Sequence, residues 1–326
     1  APDGRKTPLP EVALSGPVPS PGEKSAGAMT RGAPLFSVVV PTHDRRDKLV
    51  RFLESISETT LPRHEYEVIV VDDGGNCQLA SIGESFSDRL DIKVIRQEHA
   101  GPAAARNAGC SVARGTYLVF ADDDCTLPAG WLATLSAQFD ATPASVVTGR
   151  TVNALSGNLL STASQVLIEY LYQYFNSGGG SARFFTANNL ALSAAIFREV
   201  GGFDSEYPHA AGEDRDLCDR LLHGNHSIVY NPQVVVSHSH DLTLYGFVRQ
   251  HFTYGRAAFL FHRKCAARNG SRIAFEPLSF YADLLRYPRL RAGGAGALRV
   301  SILLALTQVA NGAGFLWECV RRRELP

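Results

Sequence analysis

Carboxylates that end apolar runs are the groups in this 326-residue chain best placed to do chemistry. Asp122, Asp123 and Asp124 follow directly on the run Tyr117 to Ala121. Three adjacent like charges repel one another and lose solvation wherever they are partly buried, so a cation belongs among them. Oxygen ligands at a strand end suit Mn²⁺ or Mg²⁺, which complete their shells with substrate phosphates. Taken in isolation, the triple Asp reads equally well as a solvated acidic turn, and context has to decide. Asp72 and Asp73 close a second apolar run, Tyr66 to Val71, and Glu213-Asp214 follows Gly212 at a helix start. The helix dipole alone accounts for acids in a first turn. A carboxylate in hydrogen-bond reach is also what makes a hydroxyl nucleophilic. His238 and His240 follow the run Val234 to Val236, and strand alternation puts both on one side.

Buried strands must carry these groups. Phe36 to Val40 is β-branched and continuously apolar up to Pro41. After a polar turn, Leu49, Phe52, Leu53 and Ile56 recur at helical spacing. Tyr66 to Val71 is the next strand, then come a helix over about 78–89, a strand over Ile92 to Arg96, a helix opening at Gly101-Pro102, and Tyr117 to Ala121. Alternation of this kind predicts an α/β fold with a mostly parallel sheet whose carboxyl ends share one crevice. No G-x-G-x-x-G or G-x-x-x-x-G-K-[ST] cradle follows the first strand, which argues against a dinucleotide dehydrogenase and against a P-loop NTPase.

Composition narrows the classes further. With 32 basic and 32 acidic side chains the formal net charge is zero, so no bulk attraction to nucleic acid exists. Six scattered cysteines without a C-x-x-C pair signal neither a zinc site nor a disulfide framework, and a reducing cytosol fits best. Residues 1–34, rich in Pro, Gly, Ser and Ala, read as a disordered leader or cloning remnant without a signal-peptide pattern, and Met29 inside it reads as a native start.

Four motifs in order carry a resemblance: Val38-Val-Val-Pro-Thr-His-Asp-Arg45, Val68-Ile-Val-Val-Asp-Asp-Gly74, Gly101-Pro-Ala-Ala-Ala-Arg-Asn-Ala-Gly109 and Phe120-Ala-Asp-Asp-Asp124. Together with Gly201-Gly-Phe-Asp204 and Gly212-Glu-Asp-Arg-Asp-Leu217, they resemble glycosyltransferase family 2, with its GT-A fold, over roughly residues 35 to 260. The resemblance implies a nucleotide-sugar donor, with Pro41, Thr42 and Asp44 along base and ribose and Asp72 accepting from the base imide. An acceptor-only carboxylate facing an N–H suits uracil or thymine. By the same resemblance Arg106 pairs with a phosphate or the base, and Asp122 takes the ribose. Asp124 takes the metal, with Asp123 between them on the donor side. One histidine is a further metal ligand, His238 in preference to His240. The Glu-Asp pair supplies the base: Asp214, with Glu213 in reserve. Asn188 and Asn189, on a strand read over Phe184 to Ser193, and Phe203 and Asp204 lie beside the acceptor. Turn and helix-cap chemistry competes for Asp44 and is the better reading for Asp73.

The division expected is a donor-binding half over 35–150, an acceptor-binding and catalytic half over 151–242, and a helical C-terminal extension over 243–326. Ser177-Gly-Gly-Gly-Ser181 reads as a hinge or mobile loop. The extension holds an aromatic, basic helix, Tyr245 to Arg263, and an uncharged run, Val300 to Trp317, flanked by arginines. At eighteen residues and interrupted by Gln308, Asn311, Gly312 and Gly314, that run reads as an interfacial or core helix rather than a membrane span. The function expected is a metal-dependent, inverting transfer of a sugar from a UDP or TDP donor to a hydroxyl of a glycan, lipid-linked or small-molecule acceptor, on the cytoplasmic face of a membrane or free of it. The rivals are a binding module without turnover and a sugar nucleotidylyltransferase, although the glycine-rich, basic loop of the latter is missing after the first strand.

Overall fold

The computed structural model describes residues 32–323 except 178–180, 208, 210, 271–272, 274 and 292–293. The leader up to residue 31 and the centre of the glycine loop at 177–181 lie outside the described residues. The chain opens as β1 (Phe36–Thr42), α1 (Arg46–Ser57), β2 (Tyr66–Asp73), α2 (Ala80–Phe86), β3 (Ile92–Gln97), α3 (Pro102–Ser111) and β4 (Tyr117–Phe120). β1 pairs in parallel with β2 and β4, and β2 with β3, as the alternation predicts. Both faces of these strands are covered, which is why they read as unbroken apolar runs. Val38 and Val40 pack with Leu49 and Phe52 of α1 on one face; Val39 packs with Ala105 of α3 and Phe120 on the other.

The second half is mixed rather than parallel. β5 (Cys125–Thr126), α4 (Trp131–Ala141), β6 (Val146–Asn153), α5 (Leu159–Asn176), β7 (Leu190–Ser193), α6 (Ala194–Glu199), α7 (Glu213–His223) and β8 (Ile228–His238) complete one sheet of order β3-β2-β1-β4-β7-β6-β8-β5. β7 runs antiparallel to β4 and β6, and β5 antiparallel to β8. The two short runs at Ile228 and Val234 are one strand. Pro232 has no N–H for the ladder, so the β6–β8 register jumps between Gly149 and Arg150. A Cβ on Gly149 would sit 2.0 Å from the Val234 carbonyl oxygen, so only glycine admits this approach.

Phe184 to Ser193 is not one strand. Only β7 joins the ladder, and Ala187–Asn189 forms a single 3₁₀ turn before it. Asn176 holds the preceding segment away from the sheet, accepting from the amides of Arg183 and Phe184 and donating to the Phe184 carbonyl. α5 begins three residues before Thr162, where the predicted helix starts, because Asn158 caps it, accepting from the Leu160 and Ser161 amides at 3.0 Å each.

Three helices follow: α8 (Leu244–Asn269), α9 (Leu278–Arg291) and α10 (Ala295–Arg323). α8 and α10 cross at glycines. A Cβ on Gly255 would lie 1.9 Å from the Asn311 carbonyl oxygen, and one on Gly314 equally close to that of Phe252. Gly296–Arg322 is long and apolar enough to cross a membrane by length and composition, with a mean hydropathy of 1.4. One face of α10 packs on α5, α8 and α9, burying Val300 and Leu304, while Ile302, Val309, Leu316 and Val320 form an exposed stripe.

Near the end of α10, buried Glu318 accepts from Arg256 of α8 and Arg322 at 2.9 Å each, and from Arg321. Burial pushes this carboxyl up, but the three guanidiniums outweigh it and pull it down to about 2. A depressed carboxyl stabilises the fold above its unfolded value, and that stabilisation disappears as pH falls from the ordinary glutamate range through about 2. In urea titrations the wild type should therefore weaken across that acid window, and Glu318→Gln should flatten the decline; parallel curves for the two proteins would contradict the assignment.

Candidate active site

Register brings the carboxylates together. Thr42 stands opposite Asp72 in the β1–β2 ladder and Val39 opposite Phe120 in β1–β4, so the loops after β1, β2 and β4 emerge at one edge. Asp44, at φ 53°, accepts from the Asn76 amide at 2.5 Å and from the Cys77 amide. The Asn76 amide is the main reason its carboxyl lies below the usual range. Buried Asp72 accepts from the Gly75 amide at 2.9 Å and pairs with Arg96 at 3.3 Å. Gly75 is the meeting point: a Cβ there would stand 2.9 Å from Asp44 and 3.2 Å from Asp72. Asp73 turns away and accepts from the Ala100 and Gly101 amides just ahead of α3.

Each member of the triad has a different environment. Asp122 meets Arg106 at 2.7 Å. Buried Asp123 accepts from the Thr42 hydroxyl at 2.6 Å and from Arg45 at 3.2 Å, and burial pushes its carboxyl up to about 6. Thr42 is thereby committed to Asp123. Asp124 meets Arg45 at 3.3 Å and Lys48 at 3.1 Å through Oδ2. Burial works against its ionisation, but His238, Lys48 and Arg45 hold the carboxyl well below the usual range. His238 reaches it because β5, which starts immediately after the triad, pairs with the end of β8 and sets Cys125 opposite His238.

These residues fit a divalent ion. Asp122, Asp124 and His238 each offer a ligand atom within 4.8 Å of the others. His238 Nε2 and Asp124 Oδ1 approach to 2.9 Å, a contact that places both on the same side of the site. Two carboxylates and an imidazole suit Mn²⁺ or Mg²⁺. His240, with its ring 5.2 Å from that of His238, is kept neutral chiefly by burial, at about 4.

Across from the triad, α7 opens after Gly212, which has φ 85°. Glu213 is buried and Asp214 less so, and both line a cavity of about 620 Å³ together with Arg106, Asp122 and His238. Burial, then Asp214, raises the carboxyl of Glu213; burial also raises that of Asp214, against the Arg215 amide. Arg106 spans the gap between the halves, donating to Glu213 at 2.9 Å and to Asp122 at 2.7 Å, with its guanidinium over the Phe203 ring. Burial opposes its charge, but the two carboxylates keep it firmly protonated.

The residues predicted for the acceptor side divide. Asn188 lines the cavity, although its Oδ1 also accepts from Thr151 and Thr186. Asn189, on the 3₁₀ turn and not on a strand, accepts from Trp131 Nε1 and donates to the Val234 carbonyl; it pins the bulge and lies off the cavity wall. Phe203 packs edge-on to Phe120, 5.1 Å between centroids, and Asp204 pairs with Lys264 of α8; neither lines the cavity. Pro41 stays within β1, half-buried. Sequence reasoning missed Arg45 and Lys48, whose spacing of three at the start of α1 was the available signal, and the polar face of α8.

An α/β sheet with an acidic triad at its carboxyl edge and a carboxylate pair across a shared cavity is the GT-A architecture. In keeping with that, the mannosyltransferase PcManGT of Pyrobaculum calidifontis, solved with GDP-Man and Mn²⁺, superimposes with a TM-score of 0.62 at 17% identity, over 88% of each chain. TarS 1–349 of S. aureus with UDP-GlcNAc gives 0.54 at 16%, over 88% of this chain and 91% of that one. The family profile "Glycosyl transferase family 2" matches residues 37–201, and the chain belongs to that family, as its motifs imply. The pre-mycofactocin glycosyltransferase of Mycobacterium tuberculosis is 32% identical over 231 residues, 68% of this chain and 46% of that protein. The chain spans about half the length of the curated relatives it matches.

Removing Arg106 would leave the buried Glu213 carboxylate without its cation and part-exposed Asp122 without its partner. Arg106→Met should cost about 3–5 kcal/mol in urea unfolding. Because Glu213 would then favour its protonated form more strongly still, the folded variant would hold a proton that the unfolded chain releases. Its deficit should therefore shrink toward pH 4 and deepen as pH rises. Adding Glu213→Gln should recover part of the loss; no recovery would mean that the bridge is not what stabilises the site.

Proposed function

We propose that this chain is a metal-dependent, inverting glycosyltransferase that moves a sugar from a nucleotide-diphosphate donor, UDP or TDP, to a hydroxyl of a glycan, lipid-linked or small-molecule acceptor. The observation that carries the reading is the common cavity in which Asp122 and His238 face Glu213 and Asp214, with Arg106 bridging the two sides. Asp72 and Asp44 bind and orient the nucleoside, with Pro41 beside them. Asp214, the more exposed of the pair, takes the proton of the acceptor hydroxyl as that oxygen attacks the anomeric carbon. Glu213, held by Arg106, orients hydroxyls. Mn²⁺ or Mg²⁺ bound by Asp124 and His238 would supply positive charge to the diphosphate leaving group. A single displacement inverts the anomeric centre. The exposed stripe of α10 between Arg299 and Arg321 supports peripheral contact with a cytoplasmic membrane face.

A metal-independent variant of the same reaction is favoured by one observation: Arg45 and Lys48 already bring two cations to Asp124. Slow release of nucleoside diphosphate from UDP- or TDP-sugars, with and without EDTA, separates the two readings. Loss of release with EDTA supports the metal; no release from any nucleotide sugar under either condition rules out the transferase.

Asp214→Asn should lower transfer by about 10²–10⁴-fold while leaving nucleoside diphosphate affinity within about twofold. Since the Asp214 carboxyl is raised by burial and must be ionised to accept a proton, wild-type transfer should increase with pH through a limb above the ordinary aspartate range. Wild-type turnover by Asp214→Asn would remove this residue from the chemistry.

A further inference from the structure

The catalytic carboxylates line the 620 Å³ cavity together with residues of α5, α8 and α10, which form much of the rest of its wall. Gln250, His251, Tyr254, Ala258 and Phe261 recur at helical spacing, so one face of α8 looks into it, and Gln308, Asn311 and Phe315 do the same from α10. Most of the wall is apolar, including Leu167, Ile168 and Leu171 of α5. Within this wall His251 is 1% exposed, and neither ring nitrogen has a hydrogen-bond partner. Gln250 and Tyr254 bond to each other at 2.5 Å rather than to His251, whose ring packs T-shaped against Phe247 and Tyr254. Asn311 Oδ1 is likewise buried and unpartnered. Burial, then His240, holds the His251 imidazole down to about 4, so at neutral pH it offers one donor and one acceptor nitrogen. Native proteins rarely leave such groups unpaired.

We propose that this chamber is the acceptor subsite, that it takes a compact acceptor with an apolar, ring-sized body, and that His251 selects it by hydrogen-bonding a polar group beyond the reacting hydroxyl. The proposal rests on the transferase reading for the word acceptor; the ligand class rests on the wall. A cavity of this size holds a molecule of drug-like dimensions, and few polar contacts at fixed positions among apolar walls set orientation rather than bulk affinity. Sugar hydroxyls set against the stretch formed by Leu167, Leu171 and Phe261 would go unpaired, so an apolar body belongs there. In the reaction the acceptor oxygen bonds the anomeric carbon as the bond from that carbon to the diphosphate oxygen breaks. The diphosphate leaves with the electron pair, and the proton passes to Asp214.

Methyl and 4-nitrophenyl β-D-glucoside carry the same ring hydroxyls and differ in the apolar aglycone, so their affinities, measured by ligand-observed NMR titration with UDP and Mn²⁺ present, report on the wall. The 4-nitrophenyl compound should bind at least tenfold more tightly. His251→Phe, with an unchanged unfolding midpoint, should weaken it at least tenfold, and His251→Gln should restore most of the loss. Equal binding of the two glucosides by the wild type overturns the proposal without any variant, and so does a folded His251→Phe with unaltered affinity, which would show that water alone satisfies the imidazole. If the glucosides discriminate as expected but no nucleotide sugar is ever cleaved, the chamber stands as a ligand site and the transferase reading falls.

Discussion

A single buried guanidinium holds the two chemical halves of this protein in register. Arg106 is 3% exposed, and its only ionic partners among the described residues are Asp122 and Glu213, on segments that also share one apolar core cluster through Phe120, Leu217 and Leu221. Without the cation, buried Glu213 would face its own desolvation while part-exposed Asp122 kept its water; with it, the two acids share one buried guanidinium. The planar fork of arginine suits this task, since two of its nitrogens address two acids at once.

The surroundings of Arg106 extend the same logic outward. Asp216, fully buried two residues beyond Asp214, joins Arg220 at 2.8 Å and Arg268 of α8 at 2.9 Å. Arg220 in turn donates to the Val200 and Gly202 carbonyls, fixing the glycine turn ahead of Phe203. Asp204 meets Lys264, also on α8. The C-terminal helices are thus attached to the sheet domain by ion pairs at α7, while α8 and α10 are joined to each other by close backbone approach at Gly255 and Gly314. Residues of α8, α9 and α10 line the same cavity as Asp214, so an extension that a sheet-only description would treat as an appendage supplies much of its wall.

Much of this was legible in the sequence. Apolar runs of strand length alternating with helical periodicity require a sheet with its carboxyl ends on one edge, and the acids that end those runs had to converge there. The edge on which Asp72 and the triad emerge follows from local pattern, because strand register and crossover handedness leave few other arrangements; Glu213-Asp214 and the preference for His238 came from the family resemblance. The mixed second half was less readable: a four-residue strand, a two-residue strand and a bulge at Pro232 carry almost no periodicity.

Long-range pairing alone decided the rest. Arg106 and Glu213 are 107 residues apart and Trp131 and Asn189 are 58 apart, and no window of sequence records that one side chain will meet the other. For the same reason Phe203, Asp204 and Asn189 turned to packing and bracing, Arg45 and Lys48 arrived at Asp124, and His251 was left facing an enclosed space with nothing to bond. Residue types and order determined which groups were available and on which edge of the sheet; the burial and partner of each, and hence its charge and use, were properties of the assembled core.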